Sequence, residues 1–182
     1  RGGYYTPKEL AHFISKWVVE SNAKKVLEPS CGDGIFISEL NNVNISQQEI
    51  DFLGVEINKD EAQKARLRAD ECRNIQSTII TDDFLFWVKT NMYNGPIFDA
   101  VIGNPPFIRY QYLTDQMQEE AEFIFNALNI KFTKHTNAWV PFVLASVYFL
   151  KPGGRLGMIV PAELLHVMHA QSIRNYLSDE CS

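Results

Sequence analysis

Short runs typical of β-strands alternate with helical runs along almost the whole chain, and this alternation limits the folds open to it. Strands are predicted at residues 25–28, 52–57, 78–81, 98–102 and 155–160. Helices are predicted at residues 35–40, 59–72, 84–89, 115–128, 137–150 and 162–177. Strands joined through helices run parallel, with helices on both faces of the sheet. We therefore predict an α/β fold with a doubly wound, mostly parallel sheet.

A further helix is predicted before the first strand. Thr6 is followed by Pro7 and, three residues after the threonine, by Glu9, which is the pattern of a capping box with proline at the first helical position. Apolar residues then recur at helical spacing and predict a buried face made of Leu10, Phe13, Ile14, Trp17 and Val18.

The composition favours one domain over residues 1–182, since 46% of the residues are hydrophobic and 21% are charged. Three cysteines at unrelated spacings favour a reducing, cytoplasmic location, and no apolar run approaches the roughly 20 residues of a membrane span. The net charge of −5 argues against a domain that grips DNA by itself. Because the first residue is Arg1, we expect a piece of a longer protein.

Unusual residues follow several of the predicted strands, at the sheet edge where ligands of doubly wound folds bind. After the first strand, Glu28 precedes a turn through Gly32 and Gly34 into a helix. Glycines let the backbone approach a ligand, but the three-glycine dinucleotide spacing is absent. An ordinary turn explains the glycines about equally well, whereas Glu28 favours a ligand with an ammonium group or hydroxyls.

The second and third strands end at acidic residues. Glu56 lies where a doubly wound fold places a carboxylate for ribose hydroxyls. Asp82 and Asp83 offer an acceptor for an adenine amino group, and Phe84 offers a ring to lie against the base. Surface charge or a helix cap would also explain the two aspartates. Together with the glycine turn, these residues indicate a cofactor that contains a nucleoside.

The fourth strand ends at the motif Asn104, Pro105, Pro106 and Phe107. The prolines hold the chain extended, so that the Pro105 carbonyl projects beside the Asn104 amide oxygen. Two acceptors with an aromatic ring nearby describe a pocket for a planar base that carries an exocyclic amine. A structural proline turn is the alternative.

These motifs resemble those of the adenine-specific amino DNA methyltransferases of the gamma type, which use S-adenosyl-L-methionine. The resemblance extends over nearly the whole chain. It implies a Rossmann-like fold and a cofactor site formed by Tyr4, Thr6, Glu28, Ser30, Gly32, Glu56, Ile57, Asp83, Phe84, Asn104 and Phe142. Core packing would equally explain Phe142. The catalytic motif would be Asn104, Pro105, Pro106 and Phe107, acting on a flipped adenine that stacks on Phe107.

The resemblance implies no metal site, although His166 and His169 are spaced as a possible pair, and Cys31 is expected to be a turn residue rather than a nucleophile. It also implies two further strands and a DNA-recognition domain or subunit that this chain lacks, with a possible nuclease or specificity subunit. Membrane association is not expected. The alternatives are methylation of a protein glutamine amide or an RNA guanine amine, and a cofactor-binding module without catalysis.

Overall fold

The computed structural model describes residues 5–95, 97–131, 137–162 and 171–180. Its strands are β1 (Lys25–Glu28), β2 (Ile50–Glu56), β3 (Ile75–Thr81), β4 (Phe98–Gly103) and β5 (Leu150–Met158). Its helices are α1 (Lys8–Val19), α2 (Ile35–Val43), α3 (Lys59–Asp70), α4 (Phe84–Asn91), α5 (Asp115–Ala127), α6 (Trp139–Tyr148) and α7 (Gln171–Glu180), with a 3₁₀ turn at Tyr110–Tyr112. The predicted order of strands and helices is confirmed.

The described strands form one parallel sheet in the order β3-β2-β1-β4-β5. The chain winds outward from β1 to β3 and then crosses back to β4, so the order reverses between β1 and β4. At such a reversal the connections leave in opposite directions and open a crevice beyond the strand ends. The predicted fold class is confirmed, and the strand order places Glu28 next to the Asn104 motif.

Apolar residues on the two faces of the sheet form separate cores. Val26 and Phe52 face α1, α2 and α3, whereas Leu27 and Val55 face α4, α5 and α6. Neighbouring residues of a strand point to opposite faces, so each central strand contributes to both cores. Each fully buried large side chain stabilises the fold by roughly 1.5–3 kcal/mol. The strand ends are therefore held from both sides.

The predicted buried face of α1 is largely wrong. Phe13 is 71% exposed, and Leu10 and Trp17 are also exposed, whereas Ala11 and Val18 are buried. The helix contacts α2 closely through small residues, and the buried Glu39 of α2 accepts a hydrogen bond from His12. Close packing of two helices favours the small side chains, which turns the larger apolar side chains outward.

The predicted capping box at the start of α1 is also wrong. Pro7 occupies the cap position and no side chain caps the helix there. The Thr6 hydroxyl instead accepts a hydrogen bond from Asn104 Nδ2, at 3.3 Å. A contact between residues 98 positions apart has replaced the local one.

Several element boundaries differ from the prediction. A helix was predicted up to residue 150 and a strand from residue 155, but β5 already begins at Leu150 and passes through Lys151 to Gly154. The pairing of β4 with β5 shifts register between Phe98 and Ala100, and Gly153 adopts a φ of +77°. An irregular strand tolerates proline and glycine that a regular central strand would not. Of the predicted closing helix, residues 163–170 lie outside the described residues.

Candidate active site

The loop after β1 folds tightly against its neighbours. Cys31 N–H donates to the Val55 carbonyl at 3.0 Å, and Gly34 N–H donates to the Cys31 carbonyl at 2.8 Å. Gly34 has a φ of +85°, and a Cβ at this position would lie 2.9 Å from Ala65 Cα of α3. Only glycine combines this backbone conformation with this close approach. The sequence thereby brings the N-terminus of α2 to the strand ends.

Glu56 ties the end of β2 to this loop. Its Oε2 accepts a hydrogen bond from Gly32 N–H at 2.9 Å, and its Oε1 accepts one from Asn58 N–H at 2.8 Å. A carboxylate has about four acceptor positions, so both oxygens retain capacity for further donors. The next residue, Ile57, is 61% exposed and offers an apolar surface beside the carboxylate.

Glu28 is a buried acid at the centre of this edge. It is 2% exposed, and its Oε2 accepts no hydrogen bond from any residue that the structure describes. Burial, and then the nearby carboxylates of Glu56 and Asp33, raise the pKa of Glu28 well above its usual range. A buried acid without a partner is costly unless a donor or a cation completes the site.

Asp83 and Phe84 begin α4. The Asp83 carboxylate accepts a hydrogen bond from Leu85 N–H at 2.7 Å and so caps the helix. Burial raises the pKa of Asp83 and outweighs the opposing effect of its main-chain donors. Phe84 is buried, and its ring lies 5.1 Å from the ring of Phe142, centroid to centroid. The structure therefore places Phe84 and Phe142 together in the core on this face.

The Asn104 motif follows β4. Asn104 donates from Nδ2 to Thr6 Oγ1, and its main-chain oxygen accepts from Ser30 Oγ at 3.1 Å. Pro105 is buried, and Pro106 and Phe107 are half-buried. The Phe107 ring packs against the core beneath α4, α5 and α6 and keeps part of its surface exposed.

A small pocket that opens to solvent lies where these loops meet. Five of the predicted site residues line it: Thr6, Glu28, Ser30, Gly32 and Asn104. The other predicted site residues that the structure describes stand outside its lining, but Glu56 accepts a hydrogen bond from Gly32, which lines it. Tyr4 lies outside the described residues.

The lining also includes residues that we did not predict as site residues. They are Tyr5, Cys31, Asp33 and Ile35. Arg68 of α3 forms an ion pair with the Asp33 carboxylate at 2.7 Å. Asp33 lies between the two turn glycines, and this position in the sequence could have identified it as a site residue. Burial raises the pKa of the Cys31 thiol, which keeps it protonated and unsuited to nucleophilic attack.

The described residues include neither a cluster of metal ligands nor a membrane-spanning helix. Within residues 5–95, 97–131, 137–162 and 171–180, no three side chains of the metal-ligating types come close enough together to hold an ion. His166 and His169 lie outside these ranges. No helix among the described residues is long and apolar enough to cross a membrane.

Comparison of the sequence with known proteins identifies its relatives. The family model described as N-6 DNA Methylase matches residues 1–182. The chain is 28% identical to the type II methyltransferase M.AccI of Acinetobacter calcoaceticus, over 96% of this chain and 30% of that protein. It is also 28% identical to M.BanIII of Aneurinibacillus aneurinilyticus, over 98% of this chain and 33% of that protein. The chain thus spans about a third of the length of these relatives.

Solved structures share the fold. A putative class I S-adenosylmethionine-dependent methyltransferase from Listeria monocytogenes matches 96% of this chain and 51% of its own, with a TM-score of 0.74 and 20% identity. The methyltransferase subunit of a type I restriction-modification system from Streptococcus thermophilus matches 97% of this chain and 38% of its own, with a TM-score of 0.72 and 18% identity. The family match over all 182 residues, on a sheet with this strand order, shows that the chain belongs to the N-6 DNA methylase family.

Proposed function

We propose that this chain transfers a methyl group from S-adenosyl-L-methionine to the exocyclic amine of a flipped adenine in DNA. The observation that carries the proposal is that Asn104 lines the same pocket as Glu28, a buried acid with an unpartnered oxygen. Glu28 suits a cationic ligand, and Asn104 suits an amine. The pocket therefore offers recognition for a methyl donor and for its acceptor side by side.

The residues present fit this cofactor. The amino acid part of the cofactor would be held by Thr6, Glu28, Ser30 and Gly32. Its ammonium group would donate to Glu28, whose Oε2 has no hydrogen-bond partner among the described residues. Glu56 would accept the ribose hydroxyls with its remaining lone pairs, next to the exposed side chain of Ile57. Asp83 would hold the adenine, and Phe84, which is buried against Phe142, would support that end of the site from the core. When bound, the cofactor supplies a methyl group activated by a positively charged sulfur.

The Asn104 motif would bind and orient the target amine. The Asn104 amide oxygen and the Pro105 carbonyl would each accept a hydrogen bond from one N–H of the amine, which draws the nitrogen lone pair out of the ring and toward the methyl group. The exposed part of Phe107 would stack on the base, a contact of about 1–3 kcal/mol that roughly offsets the few kcal/mol needed to flip it. Most of the rate would come from positioning and from these fixed acceptors.

We further propose that DNA is held by a recognition domain or subunit outside these 182 residues, in a cytoplasmic restriction-modification system. The net charge of −5 supports this, because a surface that grips duplex DNA is normally basic. A nuclease or specificity subunit would fit the same setting. One structural neighbour is the type IIG restriction endonuclease BpuSI and another is the M protein of the type I restriction enzyme EcoKI.

Incubation of the intact protein with methyl-labelled S-adenosyl-L-methionine tests the proposal. Duplex DNA, RNA and protein are offered as acceptors in parallel. Label is expected in DNA alone. Label in RNA or protein would support the other amine substrates, and no transfer to any acceptor under conditions where cofactor binds would leave only a binding module.

A further inference from the structure

Two hydroxyl groups from distant parts of the chain hold Asn104. Thr6 Oγ1 accepts a hydrogen bond from the side-chain Nδ2 of Asn104 at 3.3 Å. Ser30 Oγ donates to the main-chain oxygen of Asn104 at 3.1 Å. One contact fixes the amide group and the other fixes the backbone of the same residue.

Thr6 is itself anchored on both sides. The Pro7 carbonyl accepts hydrogen bonds from Leu10 N–H and Ala11 N–H, which fastens the segment to the start of α1. The Tyr5 hydroxyl donates to Glu61 Oε1 of α3 at 3.4 Å. Since Pro7 is the cap residue of α1 and no side chain caps the helix, the Thr6 hydroxyl is available for Asn104.

An amide group has a donor end and an acceptor end, and only the acceptor end serves an amine substrate. Because Nδ2 donates to Thr6, the orientation of the amide is fixed, and with it the position of Oδ1, the acceptor end. Ser30 restrains the backbone of Asn104, and the Pro105 carbonyl belongs to the next residue. Residues outside the motif thus restrain both of its acceptors.

From these contacts we propose that Thr6 and Ser30 are positioning residues for Asn104, beyond any contact that they make with the cofactor. The inference rests on the proposed function, since it concerns the amine-binding end of the same site. The two roles, cofactor binding and positioning of Asn104, affect different measured quantities. A cofactor ligand changes cofactor affinity, whereas a positioning residue changes the rate once the cofactor is bound.

Thr6→Val removes the hydroxyl with little change in shape, and Thr6→Ser restores it. In the intact protein, we expect Thr6→Val to lower kcat by about 10- to 100-fold, because a small misplacement of a reacting group costs on that order. Because Thr6 is only one of several residues at the cofactor site, calorimetry should show a smaller change in the dissociation constant for S-adenosyl-L-methionine than in kcat. Thr6→Ser should recover most of the lost rate, and Ser30→Ala should lower kcat in the same way as Thr6→Val.

Thr90→Val is the matched control. Thr90 is exposed on α4, and its hydroxyl bonds the Trp87 carbonyl of the same helix at 2.9 Å. This change should alter neither kcat nor cofactor affinity. Weaker cofactor binding at unchanged kcat in Thr6→Val would overturn the inference, as would equal losses in Thr6→Val and Thr6→Ser. Absence of methyl transfer by the unaltered protein would refute the proposed function instead.

Discussion

Glu28 combines a stability cost with the binding role that we propose for it. Its folded-state pKa lies above that of an unfolded glutamate, so ionisation opposes folding as the pH rises from the unfolded pKa to the folded one. A cationic ligand reverses this preference by favouring the ionised form. The residue is therefore suited to the cofactor-bound protein rather than to the empty one.

Glu28→Gln should weaken binding of S-adenosyl-L-methionine by about 10- to 100-fold, since a hydrogen bond to a charged group is worth about 1.5–3 kcal/mol. In the unaltered protein, affinity should rise as the pH rises through the raised pKa, and binding should release protons. The variant should lose this pH dependence. Calorimetry in two buffers that differ in ionisation enthalpy measures both effects.

Glu39→Gln serves as the control for that change. Glu39 is equally buried, but it lies on α2 and binds His12 instead of lining the pocket. Glu39→Gln should leave the pH dependence of cofactor binding intact. Glu28→Gln should also stabilise the protein without cofactor at a pH above the usual glutamate pKa, because it removes the cost of ionising a buried acid. The variant should then unfold at a higher denaturant concentration than the unaltered protein. A pH dependence that survives Glu28→Gln would assign it to another group.

The sequence was enough to predict some of the candidate site residues, but not the contacts among them. Glu28 and Asn104 stand out because each directly follows or ends a predicted strand and has few structural reasons to be there. The hydrogen bond from Asn104 to Thr6 was not predictable, because the local pattern of Thr6, Pro7 and Glu9 indicated a cap. The Thr6 hydroxyl could either cap α1 or bond Asn104, and in the structure it bonds Asn104.

At the scale of elements, α2 packs closely against α3 next to the candidate site. Gly34 begins α2, and its backbone lies against Ala65 of α3. The glycine pair predicted a turn but not this helix contact, which depends on a close approach that only the tertiary structure shows. Likewise, the apolar pattern of α1 predicted its helical state correctly, but not which of its faces meets α2.

Gly34→Ala should destabilise the fold by about 1–3 kcal/mol more than Gly153→Ala, as measured by the midpoint of urea unfolding. Both glycines have positive φ, at +85° and +77°. A Cβ at Gly34 would lie 2.9 Å from Ala65 Cα, whereas one at Gly153 meets no atom of the described residues within 4 Å. The pair therefore separates crowding from backbone strain. Equal destabilisation would mean that α2 and α3 are not in close contact.

At the scale of the whole molecule, the sheet order explains why motifs far apart in the sequence lie at the same edge of the sheet. Glu28 ends β1, and the neighbouring strands β2 and β4 lead to Glu56 and Asn104. The alternation of strands and helices was enough to predict a doubly wound sheet. The irregular β5 was not predictable, because Pro152 and two glycines are typical of a loop.

Cofactor binding should stabilise the 182-residue chain as a unit. At about 100 times its dissociation constant, S-adenosyl-L-methionine should add about 2.7 kcal/mol and raise Tm by about 5–10 °C. ATP shares the adenosine but lacks the sulfonium and the amino acid, so it should produce a clearly smaller shift. The absence of any shift at millimolar cofactor would argue against the cofactor site.

The position of the transferred methyl group tests the central claim most directly. Duplex DNA is incubated with the intact protein and labelled S-adenosyl-L-methionine, then digested to nucleosides and analysed by mass spectrometry, with Asn104→Ala in parallel at matched cofactor occupancy. We predict label on the exocyclic amine of adenine with the unaltered protein and none with Asn104→Ala, although the variant still binds cofactor. Label on another base or atom, or undiminished transfer by Asn104→Ala, would contradict the account.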